Sequence, residues 1–106
     1  MPKYLIEATY TLEGIKGLLK EGGSKRRDAA EAAIKGIGGK VEAFYFAFGA
    51  ADAIVITDLP DNVSAAAASL AINASGAVQT RTVVLMTPKE MDGATKKTVN
   101  YRPPGK

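Results

Sequence analysis

The sequence has 106 residues, which is the length of one domain with a single hydrophobic core. It contains no cysteine and no histidine, which excludes disulfide bonds, thiolate nucleophiles, iron–sulfur clusters and histidine-based catalysis or metal binding. The net charge of +3 arises in residues 89–106, which hold five basic and two acidic groups, whereas residues 1–88 hold nine of each. Because the body of the chain is electrically balanced, we expect no nucleic-acid binding. The sequence has no apolar run typical of a signal peptide or a membrane span, so we also expect no membrane partner and a cytoplasmic location.

The first third of the chain predicts one strand and two helices. Residues 3–10 alternate between two sets of side chains with the period of two that is typical of a strand. Thr11 is placed to cap a short helix that is interrupted by Gly22-Gly23. Ser24 is then placed to cap a second helix, whose apolar side chains recur at helical spacing as far as Ile37.

Two strands and a tight connection follow. Residues 41–48 predict a second strand that carries three aromatic side chains on one side, Phe44, Phe46 and Phe48. Residues 49–52 predict a tight turn, since small residues and an aspartate follow a glycine. Residues 53–57 predict a third strand that is apolar on both sides and therefore central in the sheet.

The last third predicts a helix, a fourth strand and a C-terminal extension. Asp61 is placed to cap the helix, and Gly76 to end it. Residues 78–86 predict the fourth strand. Residues 87–90 have the sequence of a capping box with proline at the first helical position, which predicts a short further helix. Residues 100–106 predict an extended, polyproline-like tail.

Residues 62–80 carry no charge, and the helix within them contains four consecutive alanines, Ala65–Ala68. A surface helix normally has a charged outer face, and this one does not. The small residues indicate either a contact with another copy of the chain or a neutral outer face of serine, asparagine and alanine.

The element order is β-α-β-β-α-β, which predicts an α+β fold with the ferredoxin-like arrangement: an antiparallel sheet of order 4-1-3-2 with both helices on one side. We assign residues 1–88 to this domain and residues 89–106 to the short helix and basic, proline-rich tail. The uncovered side of the sheet is apolar and measures on the order of several hundred Å², which monomers rarely expose. We therefore predict that a second copy covers it, sheet on sheet, giving a homodimer or a higher homo-oligomer.

An ordered set of motifs resembles that of the GYD-domain family, a group of small bacterial and archaeal proteins of about this length. The matching segments are Tyr10-Thr11 with Gly14-Ile15, Ser24-Lys25-Arg26, Gly38-Gly39-Lys40-Val41, Phe48-Gly49-Ala50-Ala51-Asp52 and Thr80-Arg81-Thr82. The family signature is glycine, any residue, tyrosine and aspartate, and in this sequence Ala51 replaces the tyrosine. The family is similar to the dimeric α/β-barrel proteins, so the resemblance implies paired sheets around a cavity. It leaves the activity open, because the GYD family has no settled one.

The most informative cluster of charged residues opens the second helix. The cluster is Ser24-Lys25-Arg26-Arg27, and its candidate ligand-binding residues are Ser24, Arg26 and Arg27. Cations are unfavourable at a helix N-terminus, where backbone N–H groups are free, so their presence there indicates an anion such as a carboxylate or phosphate, or an acidic residue of a partner subunit. The alternative is a solvated turn in which Asp28 and Glu31 compensate the charge.

Four further residues are candidates for the site. Phe44 and Phe46 would line an apolar cavity between paired sheets, or else belong to the ordinary core or a dimer contact. Asp52 is a candidate acid or base if it opens into that cavity; the structural alternative is that it caps backbone N–H groups after the turn. Tyr10 would donate a proton or a hydrogen bond to a ligand, or else pack as an amphipathic side chain.

These observations predict an oligomeric module that binds a small, largely apolar molecule, with a carboxylate as one form of ligand. The alternatives are a cofactor-independent isomerase or monooxygenase of the barrel type, with Asp52, Glu7 or Tyr10 as acid or base, and a purely structural assembly protein. Whether the protein is an enzyme stays open at this point. The carboxylates show no metal-ligand spacing, so we expect neither a metal nor a cofactor.

Overall fold

The computed structural model describes all 106 residues and contains a four-stranded antiparallel sheet. In chain order the elements are β1 (Lys3–Tyr10), α1 (Leu12–Glu21), α2 (Gly23–Gly36), β2 (Lys40–Phe46), β3 (Ala53–Asp58), α3 (Asn62–Ala74), β4 (Val78–Leu85) and α4 (Pro88–Thr95). The sheet has the order β2-β3-β1-β4, which becomes β4-β1-β3-β2 when it is read from the opposite edge. The α+β class and the alternation of strands and helices are confirmed.

Three of the helix starts follow their local sequence signals. The Thr11 side chain accepts a hydrogen bond from the N–H of Gly14 at the start of α1, and Asp61 accepts one from Ser64 at the start of α3. Thr87 and Glu90 form the reciprocal capping box of α4. Each cap satisfies backbone N–H groups that have no partner inside the helix, and this is why such short signals can be read locally.

The start of α2 differs from the prediction that Ser24 caps it. The helix begins at Gly23, and Gly22 occupies the capping position with no side-chain hydrogen bond. Gly22 has a φ of 84°, which is strained for any residue with a side chain. This conformation turns the chain from α1 directly into α2, so that Ser24 already lies in the first helical turn.

The second strand also departs from its prediction, because it ends at Phe46 and leaves Phe48 exposed outside the sheet. A register shift between Val41 and Ala43 marks a β-bulge. After the bulge, Phe44 pairs with Val55 and Phe46 pairs with Ala53. Cross-strand partners lie on the same side of a sheet, so both phenylalanines lie on the side that carries the helices.

The two sides of the sheet differ in what covers them. The covered face packs against α2 and α3, and its core cluster consists of Tyr4, Ile34, Leu59 and Ala65. The open face carries the alternate residues of the strands, and its apolar members are Leu5, Ala43, Tyr45, Ile54, Ile56, Val83 and Leu85. Residues 88–106 are exposed throughout, so α4 and the tail leave the open face uncovered.

Candidate functional site

A cavity of about 390 Å³ lies between the covered face and the helices α2 and α3. The sheet contributes Ile6, Ala8, Tyr10, Phe44, Ala53, Val55, Val78 and Thr80 to its lining, and the helices contribute Arg26, Ala30, Ala33, Ile34, Ile37, Ala67, Ala68, Ala71 and Ile72. Protein interiors seldom leave voids much larger than a water molecule. The volume lies within the roughly 300–1,000 Å³ that is usual for small-molecule sites.

Alanine supplies seven of the 17 residues that line the cavity. Ala30 and Ala33 face it from α2, Ala68 faces it from α3, and Ala8 and Ala53 lie beneath them in the sheet. An alanine methyl group is too short to bridge the layer between a helix and a sheet, and the larger lining side chains, such as Ile34, Phe44 and Ile72, leave the space between them unfilled. The sequence therefore holds the two layers apart at this point and packs them tightly around Tyr4 and Leu59 instead.

One end of the cavity is polar. Arg26 is the only charged residue in the lining, and Tyr10 and Thr80 supply the remaining polar side-chain atoms. The Nη1 atom of Arg26 lies 3.7 Å from the Oε1 atom of Glu21. A smaller pocket of about 160 Å³, lined partly by Glu13 and Glu21, adjoins this end and shares Tyr10 and Arg26 with the cavity. Tyr10 and Arg26 therefore stand at the boundary between an apolar space and a polar one.

Burial raises the pKa of the Tyr10 phenol; the charge of Arg26 opposes this shift, and the negative charges of Asp52 and Glu21 add to it. Removal of the phenol from water disfavours the phenolate, which explains the direction of the shift. The hydroxyl group consequently keeps its proton at neutral pH. In that state it can donate a hydrogen bond, and it is a poor base.

The predicted cluster at the start of α2 is divided by the helix. Arg26 lines the cavity, whereas Ser24 is exposed and contributes nothing to the lining. Arg27 points to the outer surface, where its guanidinium lies 3.3 Å from Asp28 and 3.6 Å from Glu31. The arrangement at Arg27 is that of a solvated turn, and only Arg26 remains available to a ligand in the cavity.

Phe44 and Phe46 contact each other edge to face, with their ring centroids 5.2 Å apart and their planes at 70°. Phe44 lines the cavity. Phe46 lies over the start of α2, where a Cβ atom placed on Gly23 would come within 2.9 Å of its ring. Both rings belong to the covered face, so the cavity that Phe44 lines lies beneath the helices and within one chain.

Asp52 has a structural position at the end of the sheet. Its Oδ2 atom accepts a hydrogen bond of 2.8 Å from the backbone N–H of Tyr10, and its own N–H donates to the carbonyl of Ala8 at 2.8 Å. Its carbonyl accepts from Ala47 at 2.8 Å. These bonds extend the strand pairing beyond β3, and the carboxylate is absent from the cavity lining.

Glu7, the other carboxylate considered as an acid or base, pairs in register with Arg81 across β1 and β4. Both residues lie on the open face, on the opposite side of the sheet from the cavity. Among the acid or base candidates, the structure therefore brings only Tyr10 to the cavity.

The role of the alanines in forming the cavity was not predicted from the sequence. The uncharged run Ala65–Ala68 was interpreted as an oligomer contact or a neutral outer face, yet Ala67 and Ala68 line the cavity and only part of the run faces outward. The available signal was the excess of alanine at the sheet-facing positions of both long helices. Thr80 was also missed; its N–H and hydroxyl bond the side chain of Asn73, which ties α3 to the edge of β4.

No group of three or more carboxylates comes together in the structure in a way that could hold a metal ion. None of the four helices has both the length and the apolar character that crossing a bilayer requires.

The sequence matches the GYD domain family over residues 4–95, from β1 to the end of α4. The chain belongs to the GYD family. No curated protein matches it, and no solved structure does. Family membership accounts for the ordered motifs of this GYD domain, and its chemistry must be argued from the cavity itself.

Proposed function

We propose that this GYD domain binds a small, largely apolar molecule in the cavity between the covered face and helices α2 and α3. The observation that carries the proposal is an unfilled space of about 390 Å³ whose lining is apolar at all positions except Arg26 and Thr80, with the Tyr10 hydroxyl as a further polar group. Transfer of about 200 Å² of apolar ligand surface out of water would contribute ~5 kcal/mol before the costs of association. This is sufficient for binding without any specific polar contact.

The proposal includes a second copy of the chain on the open face. Leu5, Ile54 and Ile56 form the apolar centre of that face, and Val83 is 47% exposed in the single chain. Covering about 600 Å² of apolar surface would contribute on the order of 15 kcal/mol before association costs. The two faces would then have different occupants, a ligand under the helices and another sheet on the opposite side.

Ion pairs at one end of the open face favour one defined orientation of the second copy, which an apolar surface alone would not specify. The Nζ atom of Lys3 lies 2.9 Å from Asp58 and 3.2 Å from Glu42. Hydrogen bonds to Asp58 and then Glu42 raise the pKa of Lys3. These groups remain solvated at the rim, where charges fix orientation more than they add affinity.

A cofactor-independent isomerase or monooxygenase is the second candidate, and the observation in its favour is Tyr10 inside the cavity. Such an enzyme needs a base as well as an acid. Asp52 is engaged by the backbone of Tyr10, and Glu7 lies on the open face. The cavity therefore supports binding better than acid–base catalysis. A purely structural assembly protein would have a filled interior here.

Isothermal titration of the full chain with octanol tests the proposal. Ala68→Leu places a larger side chain inside the cavity, and Ala66→Leu is the matched control on the exposed side of the same helix. We expect saturable binding to the parent protein, binding weakened by roughly tenfold or more in Ala68→Leu because lining contacts are lost, and no change in Ala66→Leu. Absence of binding to the parent protein, or equal binding to Ala68→Leu, would contradict the proposal.

A further inference from the structure

We propose that the ligand of this cavity is an amphipathic monoanion whose carboxylate binds Arg26 and Tyr10 while its apolar body occupies the space beneath the helices. This inference rests on the proposed function and adds the chemical class of the ligand. Three observations support it: Arg26 differs in position from Arg27, Tyr10 differs in hydrogen bonding from Tyr4, and carboxylates lie close to Arg26.

The position of Arg26 on α2 is the first observation. Arg26, Ala30, Ala33 and Ile37 follow one another at helical spacing and all line the cavity. Arg26 thus takes a place in the apolar stripe of the helix. The next residue, Arg27, faces outward and already pairs with two acidic side chains. A cation that served only solubility would be expected on the outer surface, as Arg27 is. The position of Arg26 among the apolar side chains of the helix therefore indicates another role.

The guanidinium of Arg26 has unused hydrogen-bonding capacity. Its ion-pair partner, Glu21, lies 3.7 Å away, which is longer than a hydrogen bond. Guanidinium presents five N–H donors in a planar fork that matches a carboxylate. A carboxylate at the cavity end of Arg26 would be held by charge-assisted hydrogen bonds to a half-buried guanidinium, at the boundary between the apolar cavity and solvent.

The second contrast is between Tyr4 and Tyr10, which lie on the same side of β1. The Tyr4 hydroxyl is buried and donates a hydrogen bond of 2.6 Å to the Oδ1 atom of Asn62. Tyr10 bonds Asp52 through its backbone N–H, and its hydroxyl has no hydrogen-bond partner within the chain. Burial also raises the pKa of this phenol, which keeps it protonated as a donor. The Tyr10 hydroxyl is therefore available to a ligand oxygen at the end of the cavity where Arg26 lies.

The surrounding charge favours a single negative charge on the ligand. Glu21 is close enough to Arg26 to offset much of its charge, and Glu13 lines the adjoining pocket. A dianionic phosphate would meet both carboxylates with only one cation to balance it, since Arg27 faces away. A carboxylate carries one charge and has two oxygens, one for Arg26 and one for Tyr10.

Calorimetric titration with octanoate and octanol, which share an apolar chain and differ in charge, separates this inference from the proposed function. We expect the full-length parent protein to bind octanoate roughly tenfold more tightly than octanol at neutral pH. Arg26→Gln should weaken octanoate binding far more than octanol binding and so remove that preference, whereas Arg27→Gln should keep both affinities. Tyr10→Phe should reduce the preference severalfold.

Glu21→Gln provides a variant that acts in the opposite direction. Removal of the competing carboxylate should strengthen octanoate binding and leave octanol binding unchanged. If the parent protein binds neither compound, the proposed function fails. If it binds both equally, if Arg26→Gln keeps the preference for octanoate, or if Glu21→Gln does not strengthen octanoate binding, only the ligand class is overturned. Octanol binding by Arg26→Gln shows that this variant is folded. If Arg26→Gln does not fold, the result for Glu21→Gln decides the inference.

Discussion

The covered and open faces belong to the same four strands, yet along β3 they carry side chains of different size. Consecutive residues of β3 show the contrast: Ala53 and Val55 face the helices, whereas Ile54 and Ile56 face outward. Large side chains on a flat sheet suit contact with another flat surface, while small ones beneath a helical layer leave a space. Under the proposed function, the open face is covered by another copy of the chain and the covered face encloses a small molecule.

The largest expected effect is on assembly. Ile56 is central on the open face, opposite Leu5 on one side and Ala43 on the other. Ile56→Lys would place an unpaired charge in the contact, which is strongly unfavourable in a dry interface. We expect light scattering behind a sizing column to report the 11.1 kDa single chain for this variant, and at least twice that mass for the parent protein.

The same substitution at Gln79, which lies on the open face in the exposed edge strand, serves as the control. Gln79→Lys should leave the mass unchanged, because Gln79 lies at the rim of the open face, near the end of edge strand β4 and away from its apolar centre, where an added charge stays solvated. A parent protein that elutes as a single chain, or an Ile56→Lys variant that stays assembled, would contradict the proposal that a second copy covers the open face.

A matched pair of smaller truncations sharpens the distinction between the faces. Val55→Ala removes contacts within one chain and should lower the free energy of unfolding by about 1–3 kcal/mol, with no change in the dissociation constant of the assembly. Ile54→Ala removes apolar atoms from the proposed contact between chains and should raise that dissociation constant by roughly tenfold. Denaturant unfolding and sedimentation of both variants provide the two readings. Equal effects of the two variants on both quantities would show that the faces do not differ as described.

The smallest expected effect concerns the pH dependence of stability. Because burial raises the pKa of Tyr10, the folded chain holds the phenolic proton more tightly than the unfolded chain does. The resulting contribution to stability is complete below the usual tyrosine pKa of 10.0 and declines as the pH rises through the higher value of the folded state. The stability of Tyr10→Phe should therefore fall less than that of the parent protein in alkaline solution. Urea unfolding of both proteins at a series of alkaline pH values checks this, and parallel curves would contradict it.

The parts of the fold that could be predicted are those set by neighbouring residues. Alternation defined β1, and the capping box at Thr87 defined the start of α4, because each depends on a few adjacent side chains. The start of α2 was mispredicted because the positive φ of Gly22 allowed a turn shorter than the capping pattern assumes. The end of β2 was mispredicted because alternation continued to Phe48 after strand pairing had stopped.

The site was less predictable than the fold, because it is defined by what the helices leave empty. Tyr10, Arg26 and Phe44 could be singled out by residue type. The lining by Ala30 and Ala68 could not, since an alanine carries no signal of whether the space above it is filled. That depends on the separation of the helices from the sheet, which no local sequence pattern specifies.

Native mass spectrometry of the parent protein in the presence of octanoate tests the central claim most directly, because one spectrum reports both occupants. The account predicts an assembly of at least two 11.1 kDa chains that carries one octanoate for each chain. A single chain without bound octanoate would contradict both halves of the account. An assembly that carries fewer octanoate molecules than chains would indicate that the sites lie between chains, at the open face. That result would contradict the division of roles between the two faces.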